Sequence, residues 1–198
     1  MKTKKYNDTL EKIHINIHML FLCNVELKYF YKDATKEELQ SYSNNSFLSL
    51  SIESIHIYFC LLSSILISEK EEYSITKFLN EQMSEGEAKR AIWDILYSYE
   101  FQLAWKKIKK LRDKCYAHND KEEAKISKEI KVTQKERDII FNGLRKSLVL
   151  IERENNNGVA SFDSNDSPGI KFHLNLIKNL KEDSGKKLIK KINRGKRK

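Results

Sequence analysis

The sequence predicts an all-α protein, an up-and-down helical bundle with a basic C-terminal extension, on three observations. Apolar residues recur at spacings of three and four along most of the chain, the period of an amphipathic helix. One proline and six glycines in 198 residues leave few obligatory breaks, which suits long helices better than a strand-rich fold with many turns. Two Thr-x-x-Glu boxes, Thr35–Glu38 and Thr133–Glu136, have the spacing at which hydroxyl and carboxylate satisfy each other's backbone N–H at a helix start.

Taken in order, residues 6–32 carry Leu10, Ile13, Ile17, Leu20, Phe21, Asn24, Leu27 and Tyr31 on one stripe and predict a long first helix. The alternation Ile13-His14-Ile15-Asn16-Ile17 would also suit a strand, but the longer helical register outweighs it. The Thr35 box starts a short second helix, and Ser43-Asn44-Asn45-Ser46 marks a turn or the start of the next one. Residues 46–68 place Leu48, Ile52, Ile55, Phe59, Leu62 and Leu66 on one face, with Phe47, Tyr58, Leu61 and Ile65 beside it. An apolar circumference of that kind predicts a helix in the middle of the bundle. A small helix begins near Ser74, and Ser84–Gly86 breaks the chain. One long helix then runs from about Glu87 through Ile92, Leu96, Tyr99, Leu103, Ile108 and Leu111. Another starts at Thr133, with Ile139, Ile140, Leu144, Leu148 and Ile151 on its core face, and ends at Asn155-Asn156-Asn157-Gly158. Val159–Gly169, which holds the only proline, reads as a loop before a last helix at 170–182. The expected organisation is one helical domain, 1–182, and a lysine-rich tail, 183–198.

Composition narrows the function classes. The three cysteines, Cys23, Cys60 and Cys115, fit neither a disulfide framework nor a zinc pattern, so idle thiols in a reducing cytoplasm are expected. MKTKKYNDTLEK has no apolar run behind its lysines and predicts no secretory leader. The most apolar stretch, Ile55–Ile67, falls short of the ~20 residues that span a bilayer and predicts a buried helix rather than a membrane segment. The net charge is +9, from 37 basic and 28 acidic residues. Residues 171–198 alone hold eleven Lys/Arg against two acids, so the body is neutral and the charge belongs to the tail. Lys186, Lys187, Lys190, Lys191, Arg194, Lys196 and Arg197 are candidate phosphate contacts. A solvated lysine tail is an equally good reading. A membrane surface fits less well, for want of interleaved aromatics.

The stretch that carries chemistry is Lys109-Lys110-Leu111-Arg112-Asp113-Lys114-Cys115-Tyr116-Ala117-His118-Asn119-Asp120. Cleaving RNA without a metal needs a proton acceptor for the ribose 2′-hydroxyl and a cation beside the phosphate. Histidine titrates near neutral pH and suits the first role; arginine keeps its charge and its fork of donors and suits the second. Lys109, Lys110 and Lys114 add positive charge alongside. On one continuous helix Arg112 and His118 would lie roughly 120° apart and about 9 Å along the axis. Either the helix ends between them or the working pair is completed across a dimer.

Arg112-Asp113-x-x-x-x-His118 resembles the signature of the HEPN superfamily, and LRDKCYAHND is similar to its abortive-infection, AbiU-type branch. The serine-, leucine- and isoleucine-rich helix at 46–67, the segment Ser74–Leu79 and the segment Val159–Asp163 agree with that branch. The resemblance implies a helical bundle that dimerises through its motif-bearing face. It also implies metal-independent RNA cleavage without a cofactor, in a toxin–antitoxin or phage-defence setting. RNA, whether tRNA or mRNA, and an antitoxin or defence protein would be the partners. Carried over, Arg112 would bind the scissile phosphate and His118 would be the general acid or base. Asp113 would orient one of them, and Asn119 and Asp120 match the pattern as supporting residues. The tyrosine that marks HEPN toxins silenced by nucleotidylation is replaced here by Asp120, which argues against that control.

Plainer readings stand beside this one. Arg112 could pair with Asp113 or Asp120 while His118 caps a helix end, leaving a silent HEPN module that binds RNA or a protein. His14 and His18, with Glu11, have metal-ligand spacing but no further ligand set, so no metal site is expected. Trp93, Trp105 and the tyrosines could stack on bases, although at helical spacing they more often pack a core or an interface.

Overall fold

A computed structural model describes residues 4–113 and 131–154. These residues form α1 (Lys4–Lys28), a π-helical turn (Tyr29–Asp33), α2 (Lys36–Ser43), α3 (Ser46–Ile67), α4 (Ile75–Glu81), α5 (Glu87–Tyr97), α6 (Tyr99–Leu111) and α7 (Gln134–Glu154), with no strand among the described residues. The all-α class holds. The helix terminator after Glu154, the loop at 159–169, the helix at 170–182 and the basic tail lie outside the described residues.

Local chemistry starts α2, α3, α4 and α7 where the sequence places them. The Thr35 N–H donates to Glu38 Oε2 at 2.8 Å and the Glu38 N–H donates back to Thr35 Oγ1 at 3.3 Å. Thr133 and Glu136 repeat the exchange at 2.8 and 3.3 Å. Asn45 Oδ1 accepts from the Phe47 and Leu48 N–H groups, and Ser74 Oγ from that of Lys77. Each such cap is worth about 1 kcal/mol.

The core lies between α1, α3 and α7, with α5 and α6 packed on α7. Ile13, Ile17, Leu20 and Leu27 face Leu48, Ile52, Phe59, Leu62 and Leu66, while Ile140, Leu144, Leu148 and Ile151 close the interior. Cys23 and Cys60 are buried in it, and burial, with Glu26 nearby, pushes the Cys23 thiol up to about 11, so it stays protonated at neutral pH. Cys115 lies outside the described residues.

Four expectations need correction. First, α3 packs against α1, α2, α4, α6 and α7, as a central helix should, but it is not covered all round. Phe47, Leu50, Tyr58 and Leu61 form an exposed stripe, with Phe47 71% and Leu50 63% accessible. Second, α3 is 22 residues long with a mean hydropathy of 1.8 over its most apolar window. By length and composition it could cross a membrane, a property that core helices of soluble proteins share, because the helix begins nine residues before Ile55. Third, the long helix expected from Glu87 to Leu111 is two helices. At Ser98 the backbone turns extended (ψ 145°), and the freed carbonyls of Ile95 and Leu96 accept from the Ser98 hydroxyl at 2.8 Å and the Gln102 amide at 2.7 Å. The break rotates α6, so Phe101 and Ala104 enter the core while Tyr99 and Leu103 are exposed. Tyr31, expected on the α1 stripe, is likewise exposed beyond the point where that helix becomes a π turn.

Gly143 on α7 accommodates the new register. A Cβ there would come within 2.6 Å of Phe101 Cε2, so the ring lies directly on the α7 backbone.

Polar ties hold the start of α7. Asn24 Nδ2 donates to Asp138 Oδ1 at 2.9 Å, and Gln134 Nε2 donates to both Asn24 Oδ1 and Asp138 Oδ1. The buried Arg137 guanidinium donates to the Val132 carbonyl at 2.7 Å and to Gln134 Oε1, and lies 4.8 Å from the centre of the Tyr31 ring. Lys107 on α6 pairs with Glu136 on α7, fastening the two helices.

Candidate functional site

The last turns of α6 bring Arg112 into a groove. Gln102, Trp105, Lys109 and Arg112 follow one another at spacings of three, four and three, so they occupy about 80° of the helix circumference. Trp93 and Tyr97 of α5 form the adjoining wall, and the end of α3 with the following turn, Ile67 to Lys70, forms the other. The enclosed volume is about 540 Å³.

The walls differ in chemistry. Trp93 and Tyr97 stack on one another with ring centres 5.2 Å apart and planes 19° from parallel. Trp93 and Trp105 are half-buried against the core while also facing the groove, and Tyr97 is 63% accessible. Lys70, Lys109 and Arg112 supply positive charge against one carboxylate on the described walls, Glu69. The Thr76 hydroxyl donates to the Ile67 carbonyl at 2.9 Å, which braces the α3 end.

α6 ends at Leu111, and the Arg112 N–H still bonds to the Ile108 and Lys109 carbonyls. Arg112 Nε donates to Asp113 Oδ1 at 2.6 Å, and its Nη2 pairs with the same oxygen. The neighbouring carboxylate therefore fixes the direction of the guanidinium. A phosphate offers an arginine fork the same kind of acceptor. Lys110 is exposed at the same helix end, turned away from the groove-facing stripe. Lys114, His118, Asn119 and Asp120 lie outside the described residues, as do Lys186, Lys187, Lys190, Lys191, Arg194, Lys196 and Arg197.

Trp93, Trp105 and the tyrosines are candidate base stackers in the sequence, but their meeting in one groove is a property of the fold. The Gln102–Arg112 stripe, which the break at Ser98 makes a face of its own, brings Trp105 to the α5 wall that holds Trp93 and Tyr97.

A second groove, of about 730 Å³, lies between α7 and the α5–α6 break. Its ionisable walls are mixed, with Lys32, Lys135 and Lys146 beside Asp94, Glu100 and Asp138. On α1, His14 Nδ1 lies 3.2 Å from Glu152 Oε1, and among the described residues no group of three or more His, Cys, Asp or Glu is placed to hold a metal ion. Comparison of the chain with protein-family models, with curated proteins and with solved structures finds no match, so its own residues carry the functional reading.

Proposed function

We propose that the chain is a metal-independent endoribonuclease of the HEPN type, a cytoplasmic toxin or phage-defence effector that works as a homodimer. The observation that carries the reading is the position of Arg112, at the end of a helix in a groove walled by cations and flat aromatic rings. In the proposed reaction the ribose 2′-oxygen attacks the adjacent phosphorus and gives its proton to His118. The P–O5′ bond breaks, and the leaving oxygen takes up a proton. Arg112 stabilises the charge that develops on the phosphate oxygens, and Asp113 holds its guanidinium in line. The products are a 2′,3′-cyclic phosphate and a 5′-hydroxyl. The basic tail would add sequence-independent affinity for the strand.

A second reading has one observation of its own. The Arg112–Asp113 ion pair also suits a silent module in which the arginine is structural and RNA or a protein is bound without cleavage.

Incubating RNA with the wild-type chain and with His118→Ala, with and without EDTA, separates the two. The nuclease reading expects cyclic-phosphate ends from the wild type in both conditions and none from the variant. Intact RNA throughout selects the silent module. Cleavage abolished by EDTA and restored by a divalent ion overturns the proposed chemistry.

A further inference from the structure

We infer that the groove between α5 and α6 is a subsite for one unpaired nucleotide of a single-stranded RNA, its base on the aromatic wall and its phosphate on Lys109, Arg112 and Lys70. The choice of RNA rests on the nuclease reading above; the choice of a single strand rests on the groove. Its walls combine flat aromatic rings with an excess of positive charge. Trp93 and Trp105 each turn part of the ring to the core and part to the groove, and Tyr97 extends the Trp93 stack into solvent. A flat ring left half-covered in this way offers a base a π-face without asking for any particular sequence.

The cations lie further along the same helix. Trp105 and Arg112 are seven residues apart on α6, about 10 Å of axial rise, a span over which a nucleotide reaches from base to phosphate. Lys109 lies between them, and Lys70 faces them from the α3 end. The volume of about 540 Å³ is that of a small-ligand site. A base can reach the aromatic wall only if it is out of a duplex stack, because paired bases present their edges and not their faces. The second groove has one aromatic ring, Phe101, which is 1% exposed, and no excess of positive charge.

The chain contains two tryptophans, and both line this groove, so their emission reports on it selectively. The probe is a 2′-O-methylated RNA strand of about 12 nucleotides, within the range of known single-strand sites. It lacks the free 2′-hydroxyl that cleavage needs, so binding is read without turnover. The single strand should quench tryptophan emission, and the same strand annealed to its complement should not. Tyr97→Ala, at an exposed position with little bearing on folding, should weaken binding roughly tenfold. Lys109→Gln and Lys70→Gln should each flatten the plot of log affinity against log salt by about 0.7. Lys146→Gln, in the second groove, is the control for net charge.

Two results overturn the subsite. One is strand binding, followed by anisotropy of a labelled probe, that leaves tryptophan emission unmoved and is indifferent to Tyr97→Ala and Lys109→Gln. The other is quenching by adenosine or uridine monophosphate as tight as by the strand, which would make this a free-nucleotide pocket. Neither result touches the nuclease reading, which stands or falls on His118→Ala. Conversely, strand binding in the groove by a chain that cleaves nothing keeps the subsite and removes the nuclease.

Discussion

The two grooves that α5 and α6 help to build are close in size and unlike in what they present. The larger one opens toward α7 and sets three lysines against three carboxylates, of which Asp138 is already engaged by Asn24 and Gln134. The smaller one sets two lysines and Arg112, itself paired with Asp113, against Glu69 and adds three aromatic rings. Space alone would favour the first. A polyanion recognised through flat bases needs net positive charge and exposed π-faces, and only the second has both. Volume records how helices fail to fill space at a break; composition of the wall records what that space can hold.

The comparison can be broken most directly at Arg112. If the smaller groove serves cleavage, Arg112→Ala should lower the rate of RNA cleavage by about 10²-fold or more. Lys146→Gln should change it less than about twofold, since Lys146 is exposed, does not line the Arg112 groove and is screened. Initial rates on one labelled RNA are the measurement. Equal losses from the two variants would mean that net charge matters and the groove does not.

A smaller effect separates the interior from both grooves. His56 is held neutral: burial, and then the nearby Arg137 charge, pulls its pKa from the usual 6.5 down to about 4. Its Nε2 is buried with no hydrogen-bond partner among the described residues. Above pH 6.5 the imidazole is neutral folded or unfolded and costs nothing. As the pH falls from 6.5 toward 4, only the unfolded chain takes up the proton, so stability drops. The loss attributable to His56 should reach on the order of 3 kcal/mol near pH 4. Urea unfolding at several pH values should show a shallower acid decline for His56→Leu than for the wild type. Parallel curves would show that the imidazole is solvated.

The smallest expected effect tests whether the larger groove is a by-product of packing. Gly143→Ala gains about 1 kcal/mol in helix propensity. It also drives a methyl into the Phe101 ring, which is 1% exposed, and overpacking of this kind costs about 1–3 kcal/mol. A net loss of roughly 1 kcal/mol in unfolding free energy, read as a lower urea midpoint, is expected, with cleavage per folded molecule unchanged. A stabilised Gly143→Ala would show that the ring can yield.

What the sequence disclosed was local. The caps at Thr35, Asn45, Ser74 and Thr133 depend on residues two to three positions away, and all four are where the pattern places them. The break at Ser98 has no proline or glycine beside it. Its counterpart is Phe101 lying on Gly143, a contact between residues far apart in the chain and invisible to a window of neighbours. For the same reason the stripe Gln102–Trp105–Lys109–Arg112 could not be told from a core face: the assumed unbroken helix pointed Tyr99 and Leu103 inward instead. The exposed face of α3 escaped because periodicity shows which residues are apolar and not how many neighbours arrive to cover them. Of the site itself, Arg112 and Lys109 were singled out by charge and motif, whereas the aromatic wall needed the fold.

The apolar length of α3 has a consequence for the order of events during synthesis. α1 and α2 precede it and can cover one flank at once. Its contacts with α6 must wait for Leu111, and those with α7 until translation reaches Glu154. At about 5–20 residues per second that delay is roughly 4–17 s. Throughout it, a 22-residue helix as hydrophobic as a membrane segment stands half-dressed outside the ribosome. A nascent chain stalled between Ile67 and Glu154 should therefore bind chaperones or membrane-insertion factors that the finished chain ignores.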